Sequence, residues 1–241
     1  MIGTTDLQSY AQLFQDFWVV RMTGSRSGGH FVEIGSSDGV HVNNTYLLET
    51  RFGWHGVCVE PNPTYYESLV RNRTAKTFQR AVFYESGKKL QFLPHGELGT
   101  LSGFEASDFH ADDRAVFMSN NSMIEVETIS PGELFEQGGL PPLIDYLSLD
   151  TEGSEWDILK AIDFSRYRFG LLTIEHNFVS EKRELIYNFL KNMGYYRLSA
   201  KFDDWYYHPI YLDELNGGIQ IDFKAVISDF MTEYQYGDEQ S

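Results

Sequence analysis

The chain has 241 residues, 42% of them hydrophobic and 22% charged, which suits one sizeable globular core better than two full domains. With 35 acidic against 19 basic side chains the formal net charge is −16, which argues against a nucleic-acid partner, since phosphate binding needs a concentrated basic surface. A lone cysteine, Cys58, excludes an intrachain disulfide, and no apolar run reaches the ~18 residues of a membrane span.

Residues 5–22 carry Leu7, Tyr10, Leu13, Phe14, Phe17 and Trp18 at helical spacing, which predicts a helix. The first residues lack the basic start and apolar block of a secretory signal, so a cytoplasmic location is the simplest expectation. A short apolar strand over 30–34 runs into a turn at 35–39, and a helix over 44–52 stops at Gly53. A second strand over 56–59 ends at Glu60. Asn62-Pro63 then opens a helix to about residue 72, with Asn as N-cap and Pro where its missing N–H is no loss. The basic stretch Arg71, Arg73, Lys76 and Arg80 reads as a solvated helix end.

Further strands are expected over 77–83, 89–93 and 123–128, with a helix running toward Met118. His110 with Asp108, Asp112 and Asp113 reads as the acidic start of that helix rather than a metal cluster. Ser130 and Glu133 form a capping box for a short helix ending near Gly138. A buried strand over 144–149 leads to Asp150, and a helix covers 155–162. A strand over 171–174 leads to Glu175-His176-Asn177, followed by an amphipathic helix over 181–193. Segments 195–201 and 205–208 close as a strand pair, and a last helix is expected over 223–231. The alternation of strand and helix predicts a mostly parallel sheet covered on both faces. It forms a single domain over 1–241, with a helical cap over 1–25 and an acidic extension over 210–241.

The segment FVEIGSSDGV at 31–40 is where a ligand is expected, because a strand-turn-helix junction with small residues lets a ligand approach the backbone. The dinucleotide spacing G-x-G-x-x-G would need glycine at 35, 37 and 40. Ser37 and Val40 break it, which disfavours a pyrophosphate seat. The acid Asp38 inside the turn repels phosphate but suits a ligand with an ammonium group and hydroxyls, as S-adenosylmethionine has. Glu60, 21 residues past Gly39, stands where an acid accepts hydrogen bonds from ribose hydroxyls.

Taken together, YAQLFQD at 10–16, the stretch 31–49, GVCVEPNP at 56–63, GTLSGF at 99–104, IDYLSLDTEGSEWDILK at 144–160, TIEHN at 173–177 and DDWYYH at 203–208 resemble the FkbM-type methyltransferases. The resemblance implies a Rossmann-like class I methyltransferase fold with an antiparallel last strand. It also implies methyl transfer from S-adenosylmethionine to a hydroxyl of a sugar, glycan or small-molecule natural product. Glu33, Gly35, Asp38 and Gly39 would then line the methionine part, and Ser36 and Asn44 would also bind the cofactor. Glu60 would meet the ribose, Ala81 and Val82 the adenine, and Pro61 and Asp150 would also touch the cofactor. The segment YAQLFQD departs from the commoner YSQ-x-GQD at Ala11 and Phe14.

A hydroxyl nucleophile must lose its proton during attack, so a base or a metal is expected at the carboxyl ends of the central strands. The candidates are Asp150 with Glu152, and Glu175 with His176. His176 is the expected general base, because imidazole titrates nearest neutrality. The alternative is magnesium held by Asp150, Glu175 and His176, as acids after the same strands hold it in catechol-type O-methyltransferases. His41, Asn43 and Asn44 would either touch ligand or cap a helix. Trp205, Tyr206 and Tyr207 would either stack on a sugar or pack the sheet. An N- or carboxyl-methyltransferase, or a silent S-adenosylmethionine-binding protein, are the other readings.

Overall fold

A computed structural model describes residues 7–104, 111–120, 123–219 and 221–234, so Asp108 and His110 lie outside the described residues. In chain order the strands are β1 (His30–Ile34), β2 (His55–Val59), β3 (Lys76–Phe78), β4 (Ala81–Val82), β5 (Lys89–Leu93), β6 (Thr100–Leu101), β7 (Ile124–Ile129), β8 (Leu143–Leu149), β9 (Arg168–Glu175), β10 (Tyr196–Ala200) and β11 (Asp203–Tyr207). The helices are α1 (Gln15–Met22), α2 (Tyr46–Phe52), α3 (Pro63–Asn72), α4 (Ala111–Asn120), α5 (Pro131–Gly138), α6 (Glu155–Ala161), α7 (Ser180–Asn192), α8 (Pro209–Leu215) and α9 (Phe223–Glu233).

The main sheet has the order β10-β11-β9-β8-β1-β2-β3. Strands β9, β8, β1, β2 and β3 are parallel, and β11 runs antiparallel to both of its neighbours. The chain turns back across β1, with β2 and β3 on one side and β8 and β9 on the other. Open α/β sheets bind ligands outside the carboxyl ends of the strands at such a reversal.

Alternation along the strands builds two cores. On one face Val32, Ile34, Leu147, Leu149 and Leu172 pack with Leu134, Ile158 and Leu190 of α5, α6 and α7. On the other, Phe31, Tyr146, Leu171 and Trp205 pack with Trp18, Leu48 and Phe230 of α1, α2 and α9. Strand β8 is buried on both sides, Asp145 and Ser148 included, as a central parallel strand is. Both expected caps form: Asn62 accepts from the Thr64 N–H at 3.1 Å, and Ser130 from the Glu133 N–H at 3.3 Å. Among the described residues no helix is long and apolar enough to cross a membrane.

Several expected boundaries move. The helix expected from residue 5 begins at Gln15, because the buried Asp16 carboxylate collects the Ser9 hydroxyl and the N–H groups of Tyr10 and Phe17, folding the preceding chain back. Asn43 accepts from the Thr45 and Tyr46 N–H groups and delays α2 to Tyr46. The strand expected over 77–83 is split: β3 stays in the main sheet, whereas β4 joins a second sheet of order β4-β7-β5-β6. The strand near 123–128, β7, belongs to that second sheet and pairs antiparallel with β5.

Candidate active site

A cleft of about 1180 Å³, open mouth included, lies over the carboxyl ends of β1, β2, β8 and β9. Ile34 and Gly35 form its floor, Glu60 and Pro61 one wall, and Asp150, Glu152 and Glu175 the opposite wall. Ala81 and Val82 of β4, with Phe92 and Leu101 of the second sheet, supply an apolar end beside Tyr65 and Arg80. Gln12, Val42 and Phe202 border the cleft from the N-terminal segment, the loop after β1 and the β10–β11 turn.

Glu60 is held by the backbone. Its Oε2 accepts from Ser37 N–H at 2.9 Å and its Oε1 from Asn62 N–H at 2.8 Å. Burial pushes its carboxyl up to about 7, against those two bonds and aided by the charge of Asp150. The Ser37 hydroxyl borders the cleft, is buried, and has no hydrogen-bond partner among the described residues, so a bound ligand is its natural partner. In the sequence Ser37 stands only as a broken glycine position. Its N–H turned toward Glu60 was not legible there.

The glycines of the turn are small for the protein's own reasons. Gly35 sits at φ 88, and a Cβ there would lie 1.7 Å from the Asp150 carbonyl oxygen. Gly39, at φ 82, is pressed against Leu69 and Arg73 of the α3 region and does not border the cleft. Glu33 is also turned away. Its carboxylate accepts from Asn43 Nδ2, Asn44 N–H, Thr45 Oγ1 and Arg73 Nη1, which folds the loop after β1. Ser36 ties β1 to β2 through Val59 N–H. Asp38 accepts from Val40 and His41 N–H and pairs with the His41 ring, and Asn44 donates to Ser148. Glu33, Ser36, Asp38, Gly39 and Asn44, expected to contact the cofactor, thus shape the loop and are not among the residues that line the cleft.

Arg73 corrects the reading of a solvated basic helix end. Its side chain is 0% exposed, with Nε on Glu49 at 2.6 Å, Nη1 on Glu33 and Asn43, and Nη2 on Thr45.

On the opposite wall Asp150, Glu152 and Glu175 each offer a carboxylate oxygen, all within 4.8 Å of one another. Helix α6 has Ser154 at its N-cap and no side-chain cap, and Glu155 at its first position instead folds the loop after β8, accepting from Thr151 and Gly153 N–H and pairing with Lys182. Glu152, at φ 56, receives Arg114 Nη2 at 2.9 Å and Asn177 Nδ2 at 3.1 Å. Burial, then the charges of Asp150 and Glu152, raise the Glu175 carboxyl well above the usual range.

His176 is not in this group. Glu175, the last residue of β9, and Asn177, left-handed at φ 45 in the turn that follows, border the cleft, whereas His176 between them does not. Its ring is 1% exposed, accepts from Phe178 N–H at Nδ1, and sets Nε2 3.8 Å from Asp204. Burial lowers it to about 4, opposed by Asp204 and aided by Arg183. His176, the expected general base, is thus a buried side chain outside the cleft lining, and the three carboxylates that converge are Asp150, Glu152 and Glu175. Trp205 and Tyr206 are fully buried, so they pack the sheet.

Strand order and cleft together define a Rossmann-like methyltransferase fold. The profile of the FkbM methyltransferase domain matches residues 33–196, and the chain belongs to that family of S-adenosylmethionine-dependent methyltransferases. No curated protein matches the chain. Solved structures similar to it include the precorrin-6y C5,15-methyltransferase of Geobacter metallireducens GS-15, at 11% identity over 84% of this chain and 89% of that one, with a TM-score of 0.42. Another is the human methyltransferase 10 domain containing protein, at 11% identity over 84% and 85%, with a TM-score of 0.40.

Proposed function

We propose that the chain is an O-methyltransferase that moves the methyl of S-adenosylmethionine to a hydroxyl of a sugar, glycan or small-molecule natural product. The observation that carries this reading is a single cleft with a backbone-anchored carboxylate, Glu60, on one wall and three further carboxylates on the other. Ribose hydroxyls would donate to the lone pairs of Glu60 that Ser37 and Asn62 leave open. The Ser37 hydroxyl would meet a polar group of the cofactor, and Ala81, Val82 and Phe92 would cover the adenine. The acids of the cleft suit a positively charged ligand.

When bound, S-adenosylmethionine supplies the methyl carbon as an electrophile already activated by its sulfonium. The protein's share is orientation and exclusion of water, with Gln12 and Phe202 bordering the cleft. Asp150 stands at the end of β8, where the proton of an acceptor hydroxyl has to go. A carboxylate or polyphosphate acceptor would be repelled by Asp150, Glu152 and Glu175. An amine acceptor is the second reading, favoured by those same carboxylates.

The test is transfer of labelled methyl from S-adenosylmethionine to a panel of hydroxylated sugars, polyphenols and amines. Label in an ether linkage is expected, with kcat lowered about 100-fold or more in Asp150→Asn. Label found on nitrogen would move the assignment to the amine reading. Cofactor binding without transfer to any acceptor would leave a silent binding protein.

A further inference from the structure

We propose that Asp150, Glu152 and Glu175 hold a hard divalent cation, magnesium or manganese, beside the acceptor position. The role given to that ion rests on the methyltransferase reading, whereas the existence of the site does not. The three carboxylates come from the ends of the paired strands β8 and β9, and their nearest oxygens lie within 4.8 Å of one another. Oxygen ligands at about 2.0–2.6 Å from a common ion span such a group.

Three acids at one wall would by themselves mean little. The independent sign is Glu175, which is 7% exposed, borders the cleft, and has an Oε2 atom that is buried with no hydrogen-bond partner among the described residues. A buried carboxylate oxygen left unpaired beside two other acids is strongly unfavourable unless a cation or a proton meets it. Within the group Arg114 meets Glu152, and the other nearby basic side chains are engaged outside it: Lys182 binds Glu155, and Arg183 with Arg197 binds Asp204.

The donor set is all oxygen, because His176 turns behind the cleft and Cys58 is buried in β2. Such a set selects magnesium, manganese or calcium over zinc or copper. Three protein ligands on a six-coordinate ion leave positions for water and for acceptor oxygens. The acceptor class that uses them best has two adjacent oxygens, a vicinal diol or a catechol. Such an ion would polarise the acceptor hydroxyl, whose proton would leave through the second oxygen of Asp150 to water at the cleft mouth as the new O–CH₃ bond forms. The S–CH₃ bond breaks in the same step, and its electron pair stays on sulfur.

The test is a manganese titration of the full chain after chelator treatment, with no S-adenosylmethionine present, read by loss of the free-ion electron paramagnetic resonance signal. About one ion per chain is expected, displaced by excess magnesium. Glu175→Gln and Asp150→Asn should each weaken binding tenfold or more, and Asp157→Asn, on the exposed side of α6, should leave it unchanged. Absence of stoichiometric uptake by the unaltered chain, or uptake undiminished in both cleft variants, overturns the site. Methyl transfer is scored separately. Uptake without transfer to any acceptor counts against the methyltransferase reading and leaves the site standing. Chelator-insensitive transfer with no uptake removes the site alone.

Discussion

At Phe14 the backbone turns left-handed, with φ 60, just before α1, and the ring lies 4.5 Å from that of Tyr234. An L-residue in this conformation costs about 1–2 kcal/mol that glycine does not. Phe14→Gly is therefore expected to be about 1 kcal/mol more stable than Phe14→Ala in urea denaturation, the reverse of the usual order. Equal stabilities would mean that the strain is relieved elsewhere. This position is where YAQLFQD departs from the commoner glycine, so the departure was legible, but its backbone consequence was not.

His176 gives the complementary case. Its ring sits behind the cleft and titrates near 4. Replacement by alanine should lower stability by about 1–3 kcal/mol through the lost bond to Phe178. The kcat of that variant should stay within about tenfold of the unaltered chain, since no proton passes through the ring. A loss comparable to that of Asp150→Asn would restore it as the base. Chemical type singled out His176 in the sequence. The left-handed turn at Asn177, which brings Glu175 and Asn177 to the cleft and leaves His176 out of its lining, is not encoded in residue type.

Among the elements, α3 and the loop after β1 are joined through Arg73, whose guanidinium meets Glu33 and Glu49 with no solvent contact. Removing one partner of a buried ion pair leaves an uncompensated charge, so Arg73→Met should destabilise by about 3–5 kcal/mol. A change below 1 kcal/mol in thermal or urea unfolding would contradict this role. The regular elements nearest the cleft were readable because their signals are local: the apolar runs of β1, β2 and β8, and the caps Asn62 and Ser130. The second sheet was not, because the split between β3 and β4 depends on a long-range pairing, Val82 with Ile129, that no local pattern encodes. The Arg73 network was missed for the same reason. Its partners lie 24 and 40 residues away in the chain.

For the whole molecule, burial of acids sets an unusual response to pH. Asp16 is raised to about 6, and Glu60 and Asp203 to about 7, each chiefly by burial. A group whose folded pKa lies above its unfolded value binds more protons when folded. Its stabilisation is present at low pH and is lost as pH rises through the folded value. His176 acts the other way, since its depressed folded value removes stability as pH falls below about 6.5, but that window lies mostly under pH 6. The melting temperature of the ligand-free chain should therefore be higher at pH 6 than at pH 8. A lower value at pH 6 would show that other groups control the balance.

The central claim is that the cleft at the strand reversal takes S-adenosylmethionine through Glu60. Calorimetric titration with the cofactor at pH 6 and pH 8 tests it most directly. With the Glu60 carboxyl near 7, its ionised fraction and hence affinity should rise roughly tenfold over that interval. In Glu60→Gln the affinity should be weaker and flat with pH. Absence of saturable binding, or Glu60→Gln binding as tightly and with the same pH dependence as the unaltered chain, would contradict the account.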